Sequence, residues 1–441
     1  MSVVPLLSLP STGSFSFCQL ISSVEHYQLL STADVNRARV RDVLKRAKRN
    51  NNKDSLEVVK ALEDYIPYLF SIKDGLEAGG LQLDHEIGET LDTKKFQVRL
   101  ETDRLVTSWR MPFSGSSQLH VVEPQRVELP TIYFEVFMSV LTYALSLLTL
   151  AEEVYQTSSA EDKWKQATTH LLLAQSILVY LSTHSLQLNA PVPLDLQAST
   201  FTPIINLISG SLHLLVIYKS LSSSTSSSSN NNNNNNNNKP LSAGLMARIS
   251  IFAQEKFGTA LSLLPSNLQN HSIETWIQDA NRYSTALAAK YLAIERNGRD
   301  EVGRAIALCV GARNAISSIS VFKKSKELLL KKSTSNPFTS SASKNPYSNS
   351  FIFLKDRIVQ LDKEIEELEK QYRTQNDRIS FQAIADVKDV MRSWPSGREV
   401  VAAKSEWEPS KRLIEWDNYS DNSVQQGSKS QISYSGQGSY Y

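Results

Sequence analysis

Apolar residues recur every three or four positions through most of this chain, which is the spacing of one face of an α-helix. From residue 132 onward the pattern is almost unbroken, and short polar links separate its segments. It predicts helices over residues 132–156, 161–182, 199–220, 241–264, 272–296 and 300–332. Long helices with short connections pack as antiparallel neighbours, so the sequence predicts an elongated helical solenoid.

The first 130 residues combine helical spacing with short extended pieces. One helix is expected to open at Asp34 and a second at Asp54 or Ser55, because these residue types favour the position before a helix. Short apolar runs predict strands at 6–9, 14–21, 96–100 and 105–109. Prolines and a glycine predict an irregular path over 111–130. A small N-terminal β element beside the solenoid is therefore expected.

The segment 351–376 has apolar residues spaced alternately by four and three, from Leu354 to Tyr372. This is a heptad seam of about three repeats. It could form a self-associating coiled coil, or a long amphipathic helix that packs back along the solenoid. Because three heptads are few, the packed helix is favoured.

Three polar segments lack the apolar content of a folded core. A serine run and nine asparagines occupy 221–239, and residues 333–350 and 411–441 are similarly polar. We expect one domain over 1–410, with the first two segments as disordered insertions and the third as a disordered tail. The longest apolar stretch, 136–151, is shorter than the roughly 20 residues that cross a bilayer, so a buried core helix is expected. The N-terminus lacks the basic region of a secretory signal.

Composition and charge mainly serve to exclude classes of function. The 441 residues include 47 basic and 45 acidic side chains, a net charge of +2, which argues against a broad nucleic-acid-binding surface. Two distant cysteines, Cys18 and Cys309, predict a reduced, cytoplasmic protein without a zinc cluster. The seven histidines show no HExxH spacing, and no GxSxG motif occurs. We therefore expect no enzyme, no metal and no cofactor.

The strongest charge feature is a basic run in the first predicted helix. A basic patch on a helix could contact anionic lipid or an acidic partner, at about 1 kcal/mol per residue near a charged leaflet. The alternative is a solvated helix face, which is the more frequent case. The candidate patch consists of Arg37, Arg41, Lys45, Lys48 and Arg49.

Four stretches resemble the BRO-domain family of ALIX-type, ESCRT-associated adaptors, and its palC-type branch of fungal pH-response regulators in particular. They are LPSTGSFSF at 9–17, LEDYIPYLFSI at 62–72, the run 288–316, and the run 379–409 with its SFQ and WPSGREV motifs. The resemblance covers nearly the whole chain to about residue 410. The chain departs from the family at Ile384-Ala385-Asp386, where a proline is expected.

The resemblance implies a mainly α, boomerang-shaped BRO domain with a tetratricopeptide-like solenoid and a small N-terminal β element. It also implies a non-enzymatic adaptor in ambient-pH signalling, which assembles a complex for proteolytic activation of a transcription factor. Its partners would be the C-terminal amphipathic helix of the ESCRT-III core subunit and other pH-pathway components, with indirect membrane association. A generic helical scaffold is the alternative. By position, the implied helix-binding groove consists of Val216, Ile217, Leu245, Met246 and Ile249.

Overall fold

A computed structural model describes residues 4–5, 7–23, 25–49, 54–79, 81–83, 105–113, 126–157, 162–184, 192–226, 241–265, 268, 272–319, 352–409 and 413–414. The α-helices in this part are α1 (Tyr27–Arg49), α2 (Ser55–Glu77), α3 (Ile132–Thr157), α4 (Lys163–Thr183), α5 (Ala198–Ser226), α6 (Ala243–Ser262), α7 (Ser272–Asn297), α8 (Val302–Ser317), α9 (Ile352–Gln375) and α10 (Val387–Arg392). A 3-10 turn (Leu194–Leu196) precedes α5, and a π turn (Asn376–Ser380) follows α9. The strands are β1 (Ser11–Thr12), β2 (Ile21–Ser22), β3 (Gln82–Leu83), β4 (Thr107–Arg110) and β5 (Arg126–Leu129).

Each helix from α2 to α8 packs against the helix before it, and α9 packs on α8 and α7. This confirms the predicted solenoid. Two helices, α3 and α5, contain segments long and apolar enough to cross a membrane, but the α3 segment is entirely buried in the protein and most of the α5 segment is as well. The central helix α3 is therefore the core helix that its composition predicted.

The β element is a small antiparallel sheet in the order β1-β4-β5, with β2 and β3 paired separately. Two of the strand predictions are wrong, because residues 6–9 and most of 14–21 do not form strands. Conversely, residues 126–129 were expected to be irregular but form β5. The run 105–109 overlaps β4, and 96–100 lies outside the described residues. Such short strands are specified by their partners in the sheet rather than by a periodic pattern of their own.

Helix α1 begins at Tyr27, so Asp34 does not cap it. The Asp34 carboxylate instead accepts hydrogen bonds from the backbone N–H groups of Phe17 and Cys18, at 2.6 and 3.2 Å, and from the Ser16 hydroxyl. It thereby fixes the N-terminal segment to the first helix. The second prediction is confirmed, because Asp54 directly precedes α2.

The heptad seam is buried inside this chain. Ile358, Leu361, Ile365 and Tyr372 on α9 are all at most 3% exposed. The favoured interpretation of 351–376, a helix packed along the solenoid, is confirmed, because these side chains are buried and α9 packs on α8 and α7.

Two predicted boundaries change. Helix α8 ends at Ser317, so a single helix to residue 332 was wrong, and α5 runs to Ser226, six residues into the predicted insertion. The rest of the insertion, the segment 333–350 and nearly all of 411–441 lie outside the described residues.

Candidate partner-binding surface

The five predicted groove residues divide into two groups. Ile217, Met246 and Ile249 are 0%, 4% and 0% exposed, so they belong to the core between α5 and α6 and do not form an open groove. Val216 and Leu245 are half-buried and pack against the edge of that core. Leu245 and Ile249 lie one turn apart on α6, and of the two only Leu245, nearer the start of the helix, keeps part of its surface exposed.

The residues after α10 form a feature that the sequence pattern did not predict. Residues 393–409, here called the strap, have no helix or strand and run back across the solenoid. The Arg398 N–H donates to the Arg248 carbonyl on α6 at 3.0 Å, and the Thr183 hydroxyl on α4 donates to Glu406 at 2.6 Å. Near the end of the strap, the Trp407 ring makes edge-to-face contacts with Tyr180 on α4 and with an aromatic ring on α2.

The WPSGREV motif is the part of the strap that crosses α6 and α5. An ideal Cβ at Gly397 would lie 2.7 Å from the backbone N and Cα of Phe252, so this close approach requires glycine. The Phe252 ring lies 4.3 Å from the imidazole of His213 on α5, between centroids. Val216 lies one turn beyond His213, and Leu245 two turns before Phe252. Since such spacings share a helix face, the half-buried pair lies on the face that the strap crosses.

His213 links the strap to α5 through both ring nitrogens. Its Nδ1 lies 2.8 Å from the Ser209 carbonyl, so Nδ1 carries the proton, and Nε2 accepts the Val400 N–H at 3.1 Å. Burial lowers the pKa of His213, opposed by the Ser209 carbonyl and Glu399, while Lys256 lowers the pKa further. A protonated ring would place two N–H groups face to face, so the strap contact needs the neutral imidazole.

This linkage predicts a loss of stability in mild acid. Because folding lowers the pKa of His213, the unfolded chain binds the proton more readily, and stability falls as pH drops below about 6.5. The slope from one histidine is at most about 1.4 kcal/mol per pH unit. Urea unfolding at about pH 7.5 and pH 5.5 should give a smaller difference for His213→Gln than for the wild type. Equal differences would show that His213 does not titrate on unfolding.

The candidate basic patch loses one member. Arg37 is 2% exposed, and its Nε donates to Glu135 Oε1 at 2.8 Å, so it does not belong to a surface patch. Glu135 is fully buried on α3 and also accepts from Tyr65 and Trp109. Burial, and next the Glu135 charge, raise the pKa of Tyr65 well above its usual value. Arg37 was misassigned because its partner lies 98 residues away in sequence.

The remaining patch residues lie at or near the surface. Lys45, Lys48 and Arg49 are exposed, and Arg41 is half-buried. Two other basic side chains of α1 are paired with acids on α2, Arg39 with Asp64 at 2.7 Å and Arg46 with Glu57 at 2.6 Å. A membrane or partner role for the exposed residues remains a prediction.

The described residues contain no group of three or more histidine, cysteine or acidic side chains placed to hold a metal. Burial raises the pKa of the Cys309 thiol to about 12, and burial, followed by Asp34, also raises that of Cys18. Neither thiol is therefore activated as a nucleophile, since the thiolate is the reactive form.

Sequence reasoning also missed an exposed apolar loop. Ile379, Phe381 and Ile384, which follow α9, are 75%, 76% and 48% exposed. The SFQ motif within this loop was noticed only as part of the resemblance, because a single exposed aromatic residue leaves no periodic signal.

Two curated relatives are similar over nearly the full length of the chain. A pH-response regulator protein palC from Yarrowia lipolytica is 26% identical, and the alignment covers all of this chain and all of that protein. A pH-response regulator protein palC from Emericella nidulans is 25% identical, over 91% of this chain and 88% of that protein. Both carry the name of a regulator, not of an enzyme.

The fold has a counterpart among solved structures. The BRO1 domain of ALIX in a complex with CHMP4C superposes with a TM-score of 0.64 at 12% identity, over 94% of this chain and 98% of that one. At this identity the likeness concerns the fold. Residues 131–441 match the model of a family of unknown function, DUF5355. The chain thus belongs to this family and has the BRO1-domain fold, and the resemblance to palC-type BRO-domain proteins is confirmed.

Proposed function

We propose that this chain is a non-enzymatic, ESCRT-associated adaptor of ambient-pH signalling, which binds an amphipathic helix on the α5–α6 face beside the strap. The observation that carries the proposal is the combination of full-length similarity to palC regulators with the fold of a BRO1 domain solved with CHMP4C. The expected ligand is the C-terminal helix of the ESCRT-III core subunit. Binding would recruit the chain, otherwise cytoplasmic, to the cell cortex or to endosomal ESCRT sites for activation of a transcription factor by proteolysis.

The α5–α6 face supports the proposal with a defined contact pair. Val216 and Leu245 are apolar, half-buried and placed on adjacent helices, so they can lose their remaining exposure to an incoming apolar helix face. The neighbouring residues Ile217, Met246 and Ile249, which are adjacent in sequence or one turn away, are buried in the core. Because the strap crosses the same face at His213 and Phe252, it bounds the surface on one side.

The expected affinity is modest. Each aliphatic side chain that is fully buried contributes roughly 1.5–3 kcal/mol, but association and helix ordering offset much of this gain. A few such contacts give a dissociation constant on the order of micromolar. Such an affinity suits a contact that forms and dissolves during signalling.

Leu245→Asp is expected to weaken binding of the ESCRT-III C-terminal helix at least about tenfold, because it places a carboxylate in an apolar contact. The measurement is calorimetric titration of the full chain with the helix peptide. Val216→Asp should have the same effect from the neighbouring helix.

The matched control is Leu263→Asp, which changes the same residue type at the other end of α6, where the leucine is 46% exposed. Leu263→Asp should bind like the wild type, and circular dichroism should show that every variant remains folded. Full binding by folded Leu245→Asp and Val216→Asp would move the site elsewhere. No binding by the wild type would exclude this ligand.

A further inference from the structure

The loop of residues 379–384, here called the apolar loop, presents a concentrated apolar surface to solvent. In the part of the chain that the structure describes, Phe381 and Ile379 are the two most exposed large hydrophobic side chains, and Ile384 adjoins them. Scattered single exposures are ordinary on protein surfaces, whereas a contiguous apolar patch is typical of an interaction site.

This exposure does not result from a loosely held loop. Asn376, which is 7% exposed, donates its Nδ2–H to the Gln382 carbonyl and accepts the Gln382 N–H on Oδ1, both at 2.9 Å. The Gln382 side chain in turn accepts the Gly303 N–H at 3.1 Å and donates to the Asp300 carbonyl. Gln382 thus fixes the loop both to the residues that follow α9 and to the turn between α7 and α8.

Phe381 itself has a left-handed backbone, with φ 49° and ψ 33°. This conformation is unfavourable for a bulky residue, and it persists only where the surroundings enforce it. Here the Phe381 N–H donates to the Asn376 carbonyl at 2.8 Å, but the Phe381 side chain is still 76% exposed. The hydrogen bonds of Asn376 and Gln382 therefore hold the strained backbone, and this conformation keeps the Phe381 ring in solvent.

A small cleft lies between α8 and the start of the strap. It is lined by Arg304 and Leu308 of α8 and by Trp394 and Pro395 of the strap. The Arg304 side chain pairs with Glu301 at 3.1 Å and is still 59% exposed, and the buried indole Nε1 of Trp394 has no hydrogen-bond acceptor. Aromatic side chains and arginine are the residue types that contribute most to protein interfaces.

We propose that the apolar loop and this cleft form a second protein-docking surface, separate from the α5–α6 face. The partner is a folded domain, because Phe381 protrudes and the concave pocket must come from the other molecule. An acidic side chain beside that pocket would pair with the exposed part of the Arg304 guanidinium, which Glu301 also contacts at 3.1 Å. Exposed Asp377 and Asp386 flank the loop together with exposed Arg378 and Lys388, so the loop has no net basic charge that would attract an anionic membrane.

The first test is Phe381→Gly, which removes the ring and suits the left-handed backbone. Its melting temperature should equal or exceed that of the wild type, and its titration with the ESCRT-III helix should be unchanged. In a palC-deleted fungal host it should nevertheless fail to restore the response to alkaline medium, whereas Leu263→Ser should restore it. Full restoration by Phe381→Gly would overturn the proposal.

The second test does not depend on the function proposed above. A photoreactive benzoylphenylalanine at position 381 of the full chain should crosslink in cells to one protein, within an apolar pocket that mass spectrometry places beside an acidic residue. Arg304→Glu should reduce this adduct several-fold, and the same probe at position 263 should not form it. Equal labelling from both positions would overturn the proposal. So would cosedimentation with phosphatidylcholine–phosphatidylserine vesicles that Phe381→Gly abolishes, because the ligand would then be a membrane.

Discussion

Arg37→Ala is expected to lower the free energy of unfolding by about 3–5 kcal/mol, because it leaves a buried carboxylate without its counter-charge. Glu135 is completely buried, and Arg37 supplies two of its hydrogen bonds, at 2.8 and 3.3 Å. The same guanidinium donates to the Thr12 hydroxyl at 2.8 Å and to the Gly13 carbonyl at 3.0 Å. Its loss therefore also loosens the attachment of β1. Urea unfolding followed by circular dichroism measures the change.

Arg39→Ala on the same helix is the matched control. Arg39 pairs with Asp64 at 2.7 Å, but the two side chains are 47% and 54% exposed. Solvent-exposed pairs contribute about 0–1 kcal/mol, so this variant should remain close to the wild type. Similar losses in the two variants would show that burial does not determine the strength of the Arg37 contact.

Gly303→Ala is expected to destabilise the chain by about 1–3 kcal/mol and to release the apolar loop from α8. An ideal Cβ at Gly303 would lie 2.2 Å from the carbonyl oxygen of Ala383, so backbone must move. That movement also breaks the hydrogen bond between the Gly303 N–H and Gln382. Limited proteolysis should cut the variant faster within residues 379–384, and thermal unfolding gives the accompanying loss of stability.

Gly298→Ala tests whether the effect is specific to this contact. Gly298 lies in the same α7–α8 turn, its φ is not positive, and a Cβ there would have no neighbour closer than 3.5 Å. This substitution should change neither proteolysis nor stability appreciably. A Gly303→Ala chain that is as stable and resistant as Gly298→Ala would contradict the close packing of the apolar loop on α8.

The two candidate surfaces are connected through the same C-terminal segment. The apolar loop is anchored at the α7–α8 turn, and the chain continues through α10 into the strap, which crosses the α5–α6 face. Gly303→Ala can therefore serve both proposals. If the loop alone is displaced, titration with the ESCRT-III helix should be unchanged, whereas weakened binding would indicate that the strap moves with it.

The sequence by itself determined the helices and their order. Six predicted segments from residue 132 onward correspond to α3 to α8, and most of their ends agree within a few residues. The seam on 351–376 likewise predicted the buried stripe of α9. These inferences succeeded because helical periodicity is a local property that 11 to 18 residues are enough to reveal.

Tertiary structure decided which residues are accessible. The sequence pattern places Arg37 in a surface patch, whereas the structure buries it against Glu135 of α3. Val216 and Ile217 are adjacent apolar residues, and only the packing of the neighbouring helices determines that Ile217 is buried while Val216 stays partly exposed. The strap depends on contacts with several distant helices, so no short window of sequence contains it. Periodicity fixes the apolar face of a helix, but long-range packing determines how much of that face remains for a partner.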